Sequence, residues 1–391
     1  MIWIFIALIL TALAADGYFW RHGLRTAALP TCAKRLAAGA LLLTDLLPLP
    51  CMAVGWLLPD NPTGAVNLFS WLNLLFLCTV PTRLLCYAGW ASRRRWGRVL
   101  GFAAAAGLAG ALVWGTVWCR SDLRVERVEV RSHKLPESFD GLRVALFSDL
   151  HAGALLNPER ETARVVDTLL SLDADLILFG GDLVNIRYTE LDDAVSRQLA
   201  RLKAPLGVYS VLGNHDMGVY IKDSLTLAHE VNTARLLERQ RALGWRVLND
   251  ETVYLRRGGD SISFTGIAFQ RSLRNFRHDG TLPDVDLTDL YAEVPDTLFN
   301  LTLCHLPQLW ELITAQGFGD LTLAGHVHSM QMKIPLGRRG LSLARILYKR
   351  WSGAYTEGGR TLYINDGIGA VGIPTRLGAA PEVTLIRLRR E

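Results

Sequence analysis

Five short polar motifs in this sequence bring together residue types that bind metal ions. In chain order they read Asp-x-His, Gly-Asp, Gly-Asn-His-Asp, a single His and Gly-His-x-His. Carboxylate oxygens, imidazole nitrogens and an amide carbonyl suit mixed ligation of Mn²⁺, Fe or Zn²⁺. None of the motifs contains Cys, so a structural zinc finger does not fit. The side chains concerned are Asp149, His151, Asp182, Asn214, His215, Asp216, His305, His326 and His328.

Each motif directly follows an apolar run that is typical of a buried strand. In open α/β sheets, ligands gather at the carboxyl ends of strands, so we expect the five motifs to converge there. The runs are Leu142–Phe147, Leu176–Phe179, Gly207–Leu212, Leu298–Cys304 and Leu321–Leu323. The alternative, in which the Asp residues are loop caps and the His residues are buried in the core, requires five independent coincidences. The pattern therefore favours a site for two divalent metal ions that hydrolyses its substrate.

The order of the predicted elements indicates the fold class. Helical spacing occurs between the early strands, and strands dominate later in the chain. We therefore predict an α/β fold for residues 121–391, with layered sheets that are flanked by helices. Apolar residues make up 50% of the 391 residues, which excludes intrinsic disorder.

Residues 1–120 have a different character and are predicted to form a transmembrane bundle of about four helices. Each of four apolar stretches approaches or exceeds the ~20 residues that cross a bilayer core. The second stretch is the weakest, because it contains Asp45 and two prolines. Two alternatives remain: the first stretch is a cleaved signal peptide, or all four are buried helices of a soluble domain. The stretches are Ile2–Trp20, Leu36–Leu58, Val66–Trp90 and Val99–Trp118.

Charge is distributed unevenly along the chain. Residues 1–120 hold ten Lys/Arg and three Asp/Glu, a net +7, and the remaining residues hold 32 and 34, a net −2. Nucleic acid is not expected as a partner, since it requires a basic patch on the folded domain. The connections after the first and third stretches are rich in Lys and Arg, so the positive-inside rule places them in the cytoplasm. With four spans, everything after Arg120 is then predicted to lie outside the cytoplasmic membrane. Gly97 and Gly101 have a GxxxG spacing, which indicates either close packing of the fourth stretch against a neighbour or ordinary Gly/Ala richness.

The five motifs, in this order, resemble the signature of the calcineurin-like metallophosphoesterase superfamily. The chain looks closest to its membrane-associated bacterial branch, and the resemblance covers about Val125–Arg389. It implies two β-sheets flanked by helices and two divalent ions (Mn, Fe or Zn). The sequence departs from the branch in having Ser329 and Met330 after the last His, where two small residues are usual.

The resemblance also assigns roles to the residues. One ion would be held by Asp149, His151 and His328, and the other by Asn214, His305 and His326. Asp182 would bridge the two ions. His215 would face the substrate, and Asp216 would orient its ring. A hydroxide shared by the two ions would then attack phosphorus, and His215 would stabilise the developing charge or protonate the leaving oxygen.

The substrate is expected to be phosphorylated and lipid-linked or close to the membrane, because four spans exceed what a tether needs. We expect Arg376 to contact its phosphate. Basic and large apolar residues are interleaved in Phe269–Phe276 and in Arg338–Trp351, which suits an anionic membrane surface or a solvated loop. Two alternatives remain: a UDP-2,3-diacylglucosamine-type diphosphatase of lipopolysaccharide lipid synthesis, and a non-catalytic membrane binding module. A degenerate module would have lost a ligand, and none is missing.

Overall fold

A computed structural model describes residues 2–46, 62–92, 94–222, 227–269, 285–334, 336 and 340–391. The chain forms two compact units. The helical unit consists of Met1–Val117 and Gly372–Thr375, and the α/β unit consists of Trp118–Val371 and Arg376–Glu391.

The helical unit contains helices α1 to α4, which span Ile2–Phe19, Thr31–Leu46, Thr63–Ala91 and Arg95–Val117. Among the described residues, two helices are long and apolar enough to cross a membrane, Thr63–Ala91 and Arg95–Ser121. The structure thus supports two of the predicted spans and not about four. At 1.5 Å per residue, α2 rises only about 24 Å, less than the ~30 Å of a hydrocarbon core. Helix α1 rises about 27 Å and continues into a π-helical turn, Trp20–Leu24, that carries Arg21. The rest of the predicted second span, from residue 47 onward, lies outside the described residues.

Helices α3 and α4 approach each other closely at glycines. A Cβ on Gly101 would lie 2.7 Å from the Gly89 Cα and 2.7 Å from the Leu85 carbonyl oxygen. A Cβ on Gly89 would in turn lie 2.6 Å from the Gly97 carbonyl oxygen. Only residues without a side chain permit this approach. Of the two interpretations of the spacing at Gly97 and Gly101, the structure supports close helix packing.

An ion-pair cluster explains how Asp45 is accommodated within a largely apolar unit. The Arg83 guanidinium on α3 pairs with the Asp45 carboxylate on α2 and lies 3.1 Å from the Asp16 carboxylate on α1. It also donates a hydrogen bond of 2.6 Å to the Thr44 hydroxyl. Asp45 is fully buried, and an unpaired charge there would be costly. Arg83 therefore links α1, α2 and α3.

The α/β unit is built on two six-stranded sheets. The first has the order β1-β12-β2-β3-β4-β5, and the second has the order β10-β11-β9-β8-β7-β6. The strands β1 to β12 span Arg124–Ser132, Arg143–Phe147, Leu176–Phe179, Val208–Ser210, Arg246–Val247, Glu251–Arg257, Asp260–Ile267, Asn300–Cys304, Leu321–Ala324, Gly353–Glu357, Arg360–Ile364 and Glu382–Arg390. The helices α5 to α10 span Pro158–Ser171, Asp193–Leu199, His229–Ala242, Thr288–Tyr291, Trp310–Ala315 and Ala344–Leu347.

The sheets pack face to face, and helices cover their outer faces. On β2, Val144 and Leu146 join a core that includes Phe264 and Leu303 of the second sheet. Ala145 and Phe147 point the other way, into a core shared with α5, α6 and α7. Successive residues of a strand face opposite sides of the sheet, so a strand buried on both sides must be apolar throughout. This explains the uninterrupted apolar runs and bears out the layered α/β prediction.

Strand direction decides where the polar motifs gather. β2, β3, β4 and β5 are mutually parallel, and so are β7, β8, β9 and β11. Their carboxyl ends therefore meet along one edge of each sheet. Four of the five motifs directly follow β2, β3, β8 and β9, and the third begins three residues after β4.

Candidate metal centre

The loops beyond β2, β3 and β9 hold five residues of the polar motifs in the left-handed backbone region, and Ser329, Met330 and Gln331 continue it after the last motif. The φ angles are 53° at Asp149, 46° at His151, 60° at Asp182, 73° at His326 and 52° at His328. Asp and His adopt this region more readily than most residues, although it still costs of order 1–3 kcal/mol each. All five belong to the motifs that the sequence singled out. The strain is thus concentrated where the polar side chains converge.

Asp149, His151 and His328 form one buried cluster. The His328 Nε2 lies 3.0 Å from the Asp149 Oδ1 and 3.2 Å from the His151 Nε2. The His151 Nε2 is 3.9 Å from the same carboxylate oxygen. These three residues could together hold a metal ion. They are the three that the resemblance assigns to one ion.

Asn214, His305 and His326 converge with Asp182 in a second cluster. The Asn214 Oδ1 lies 3.1 Å from the His305 Nε2 and 3.0 Å from the His326 Nδ1. The two imidazole nitrogens are 3.2 Å apart. His305 and His326 could hold an ion together with Asp182.

Asp182 lies between the two clusters. Its Oδ2 is 3.1 Å from the His305 Nε2 and 3.8 Å from the His151 Nε2, so a single oxygen faces both groups. Its Oδ1 accepts a hydrogen bond of 2.8 Å from the backbone N–H of His215. That bond fixes the rotation of the carboxylate. The Asp182 Oδ2 therefore lies within reach of both clusters.

The chemistry of the clustered atoms fits divalent cations. The His151 and His328 Nε2 atoms face each other, and the Asn214 carbonyl oxygen faces two imidazole nitrogens. Lone pairs brought this close need a proton or a cation between them. Mixed imidazole, carboxylate and amide oxygen ligands suit Mn²⁺, Fe and Zn²⁺.

Glycines allow the loops to approach this closely. A Cβ on Gly213 would collide with the Asp182 carboxylate, and one on Gly325 would collide with that of Asp149. A Cβ on Gly181, which has φ 94°, would lie 2.8 Å from the His305 Nδ1. These three glycines therefore permit close packing around the ligands.

The charges within the clusters shift several pKa values. Burial lowers the pKa of His305, but the neighbouring Asp182 outweighs it with its charge and hydrogen bond, and the pKa rises to about 9. Burial alone would raise the pKa of Asp149, yet the His328 ring holds it below its usual range. For His151, burial and the nearby His215 lower the pKa, so its ring is neutral at pH 7. A cation bound beside His305 therefore has to displace a proton, which makes metal binding pH-dependent.

His215 lies beside the clusters and is held by the backbone. Its Nδ1 donates a hydrogen bond of 2.5 Å to the carbonyl oxygen of Asn185. Its ring centroid is 4.6 Å from that of His151 and 4.2 Å from that of Tyr220. Because a carbonyl can only accept, Nδ1 carries a proton and Nε2 is the nitrogen available to a substrate.

Asp216 does not orient the His215 ring, which corrects the role assigned to it. Its carboxylate accepts backbone N–H bonds from Gly213 at 3.0 Å and from Asp182 at 2.7 Å. It also accepts those of Leu183 and Val184. The loop after β3 offers several N–H groups that no strand partner satisfies, and Asp216 is the acceptor they reach. It therefore ties the Asp182 loop to the Asn214 loop.

Arg376 is not placed to contact phosphate, which corrects a second expectation. The side chain is fully buried. It donates hydrogen bonds to the carbonyl oxygens of Gly369, Asp366 and Ala379 at 2.7, 3.0 and 3.1 Å. Its Nη2 lies 3.1 Å from the Nδ1 of His328. Arg376 therefore contacts His328 at Nδ1, the ring nitrogen that does not face the cluster.

The two segments in which basic and large apolar residues are interleaved have different outcomes. From residue 270 onward, Phe269–Phe276 lies outside the described residues. Within Arg338–Trp351, Arg350 pairs with Glu311 at 2.7 Å and with Glu357 at 3.0 Å, and Trp351 is buried. These two residues therefore support the fold. Six large apolar residues between Ile334 and Leu347 are exposed and are considered below.

Sequence reasoning did not identify two groups at the centre, those of Tyr220 and Asn185. The Tyr220 hydroxyl accepts a hydrogen bond of 3.1 Å from the Asn214 Nδ2, and its ring stacks on His215. Asn185 acts through its backbone carbonyl, which every residue has, so no pattern could reveal it. For Tyr220, its position five residues after His215 was the only available signal.

Comparisons with known proteins agree with this geometry. The family model of the calcineurin-like phosphoesterases matches residues 142–330. The metallophosphoesterase YkuE of Bacillus subtilis is 30% identical over 66% of the chain and 83% of its own length. A transmembrane protein with a metallophosphoesterase domain from Danio rerio is 29% identical over 71% of the chain and 60% of its own length. The UDP-2,3-diacylglucosamine pyrophosphatase LpxG of Chlamydia trachomatis is 24% identical over 71% of the chain and 94% of its own length.

Proposed function

As the chain belongs to the calcineurin-like metallophosphoesterase family and is a metal-dependent hydrolase, we propose that it cleaves a lipid-linked or membrane-proximal phosphoester or diphosphate. The observation that carries the proposal is the convergence of seven ligand-type side chains into two clusters that share the Asp182 Oδ2. Asp149, His151 and His328 hold one divalent ion, and Asn214, His305 and His326 hold the other. Two bound ions supply a water of lowered pKa and offset charge on the phosphoryl oxygens.

The chain's own residues have separate tasks in this reaction. The Asp182 Oδ2 faces both clusters. The Asp182 Oδ1 accepts a hydrogen bond from the His215 N–H, which keeps the carboxylate from rotating. His215 presents Nε2 to the substrate. In its doubly protonated form it donates the Nε2 proton to the leaving oxygen, while the Nδ1 proton stays in the hydrogen bond to the Asn185 carbonyl. Asp216 keeps the two ligand loops at a fixed separation. No covalent enzyme intermediate is needed.

Two observations support a lipid-linked substrate. The part of the chain that the structure describes contains two helices that are long and apolar enough to cross a membrane. Its similarity to LpxG, named for a diphosphate that carries acyl chains, spans nearly all of that protein. A second candidate is therefore a UDP-2,3-diacylglucosamine-type diphosphatase. We further propose that the protein is a multi-pass protein of the cytoplasmic membrane with its α/β unit on the outer face.

The test is a turnover screen of the full-length protein in detergent with Mn²⁺. Lipid phosphates, lipid diphosphates and UDP-glycolipids are compared, with a nitrophenyl phosphate ester as a small reference. We expect metal-dependent turnover of at least one lipid class and its loss in EDTA. Asp182→Asn and His326→Ala should abolish it without unfolding the protein, because each removes a ligand.

Two matched variants control for the substitutions. Asp167→Asn and His133→Ala change exposed residues and should retain wild-type turnover. Metal content, measured by mass spectrometry, should fall only in the ligand variants. Asp182→Asn with full metal content and full turnover would show that the assignment of two ions is wrong.

A further inference from the structure

The α/β unit exposes a group of large apolar side chains next to the metal centre. Most large apolar residues of this unit are buried, but six within a fourteen-residue segment are not. Ile346 is 78% exposed and Ile334 is 67% exposed. We call this group the apolar edge. Its members are Ile334, Leu336, Leu341, Leu343, Ile346 and Leu347.

The apolar edge is held in place by the loop that carries two of the ligands. Ile334 and Leu341 exchange backbone hydrogen bonds of 2.8 Å in both directions. The Ser342 hydroxyl donates a bond of 2.6 Å to the carbonyl oxygen of Ser329, the residue after His328. Ala344, in the short helix α10, is fully buried and anchors the segment. These contacts fix the conformation in which the side chains of the apolar edge are exposed.

The segment around the apolar edge is positively charged in sequence. From Leu321 to Thr356 the chain contains six Lys/Arg and no Asp or Glu. Three of the six pair with carboxylates from elsewhere in the chain: Lys333 with Asp366, and Lys349 and Arg350 with Glu311. Arg345 lies within the apolar edge itself, on α10 between Leu343 and Ile346. Large apolar side chains interleaved with cations are what the interface of an anionic bilayer accepts.

A water-exposed surface of this kind is unfavourable unless something covers it. Among the described residues, two helices are long and apolar enough to cross a membrane, so lipid is an apolar phase available to this protein. We propose that the apolar edge inserts into the interfacial layer of an anionic bilayer and holds the metal centre at the lipid surface. Insertion of the apolar edge has a consequence for turnover: a substrate that resides in the bilayer could reach the metal centre without leaving the bilayer. Only this consequence rests on the proposed function.

The first test detects lipid contact without using activity. The full-length protein is reconstituted in nanodiscs of phosphatidylcholine and phosphatidylglycerol, with a benzoylphenylalanine photocrosslinker at position 346. The matched control carries the crosslinker at Val231, an exposed apolar residue of α7. We expect a lipid adduct from position 346, seen as a mass increase, and none from position 231. The proposal is overturned if position 346 gives no lipid adduct, or if it crosslinks only to a second copy of the chain.

The second test measures whether the contact serves catalysis. Leu343→Ser/Ile346→Ser is compared with Val231→Ser in the same nanodiscs. The readout is the ratio of lipid phosphate turnover to nitrophenyl phosphate turnover. Removing two inserted side chains should lower this ratio roughly tenfold or more, and Val231→Ser should leave it unchanged. An equal ratio in the two variants overturns the role in turnover, whereas wild-type protein that hydrolyses neither ester refutes the proposed function alone.

Discussion

At His215, one backbone hydrogen bond determines which ring nitrogen is available for chemistry. The 2.5 Å bond from Nδ1 to the Asn185 carbonyl leaves Nε2 for the substrate. A histidine that acts as a general acid accelerates the reaction more for poor leaving groups than for good ones. It is also dispensable for metal binding if the other seven residues are the ligands.

We therefore predict that His215→Ala retains its metal ions but turns over roughly 10²–10⁴-fold more slowly, the usual contribution of general acid–base catalysis. The slowing should shrink for nitrophenyl esters, because nitrophenolate leaves without protonation. Metal content and turnover are measured on the same preparation. Loss of one ion in this variant would mean that His215 is itself a ligand.

Arg376 shows how a residue can serve the centre without touching the substrate. Replacing it with Ala leaves the buried carbonyls of Gly369, Asp366 and Ala379 without their donor and His328 without its support. We predict a loss of stability of about 3 kcal/mol, measured as a lower unfolding midpoint. KM for a small phosphate ester should change little in the protein that remains folded. A normal midpoint with a raised KM would instead indicate direct phosphate contact.

At the scale of elements, the contact between α3 and α4 depends on the absence of side chains. Gly101 faces Gly89 and Leu85, whereas a Cβ on Gly107 of the same helix would have nothing within 4 Å. We predict that Gly101→Leu separates the two helices and lowers the thermal midpoint in detergent. Gly107→Leu is the matched control and should behave as the wild type. Equal midpoints for the two variants would show that the close approach does not stabilise the helical unit.

Strand β12 begins with a buried carboxyl group that opposes folding at high pH. Burial, followed by the charge of Asp366, raises the pKa of Glu382 to about 7. Its Oε1 accepts hydrogen bonds from Tyr363 at 2.8 Å and from Thr384 at 2.7 Å. The folded state thus binds this proton more tightly than the unfolded state, whose pKa is near 4.5. Its contribution to stability is complete below pH 4.5 and is lost as pH rises through about 7.

We predict that Glu382→Gln removes the loss of stability that accompanies the rise in pH. The wild-type free energy of unfolding should fall between pH 4.5 and pH 8 by about 3 kcal/mol more than that of the variant. Denaturant titration of both proteins at several pH values measures the difference. Parallel pH profiles would show that Glu382 does not titrate within this range in the folded protein.

At the scale of the whole molecule, the side of the membrane on which the α/β unit lies follows from charge. The structure supports spans at Thr63–Ala91 and Arg95–Ser121. The junction between them contains Arg93 and Arg94 and is followed by Arg95 and Arg98. The positive-inside rule places this junction in the cytoplasm, so the chain after the second span is expected outside. This argument holds whether or not α1 and α2 also cross the membrane.

We predict that an alkaline phosphatase fusion at the carboxyl end is active and that a green fluorescent protein fusion exported there by the same route is dark. Both fusions are assayed in intact cells at matched expression levels. The opposite pair of results would place the enzyme in the cytoplasm. It would also make the UDP-glycolipid diphosphatase the first choice of function, since that chemistry occurs on the cytoplasmic side.

The sequence by itself determined the kinds of residue at the centre and their places at strand ends. Asp149, Asp182 and His305 each follow an apolar run, and such runs form strands through short-range preferences and burial on both faces. The close packing at Gly101 was also predictable, because the GxxxG spacing is local. The sequence therefore predicts which side chains lie together at the carboxyl ends of the strands.

Only the tertiary structure decided which atoms these groups contact. β12 is the last strand in the chain, yet it lies between β1 and β2, and its register with them brings distant residues together. Arg376 meets His328 across 48 residues, and Asp216 meets the backbone N–H of Asp182 across 34. Such partners depend on how the sheets and loops pack in space, because burial leaves each donor only the acceptors within its reach.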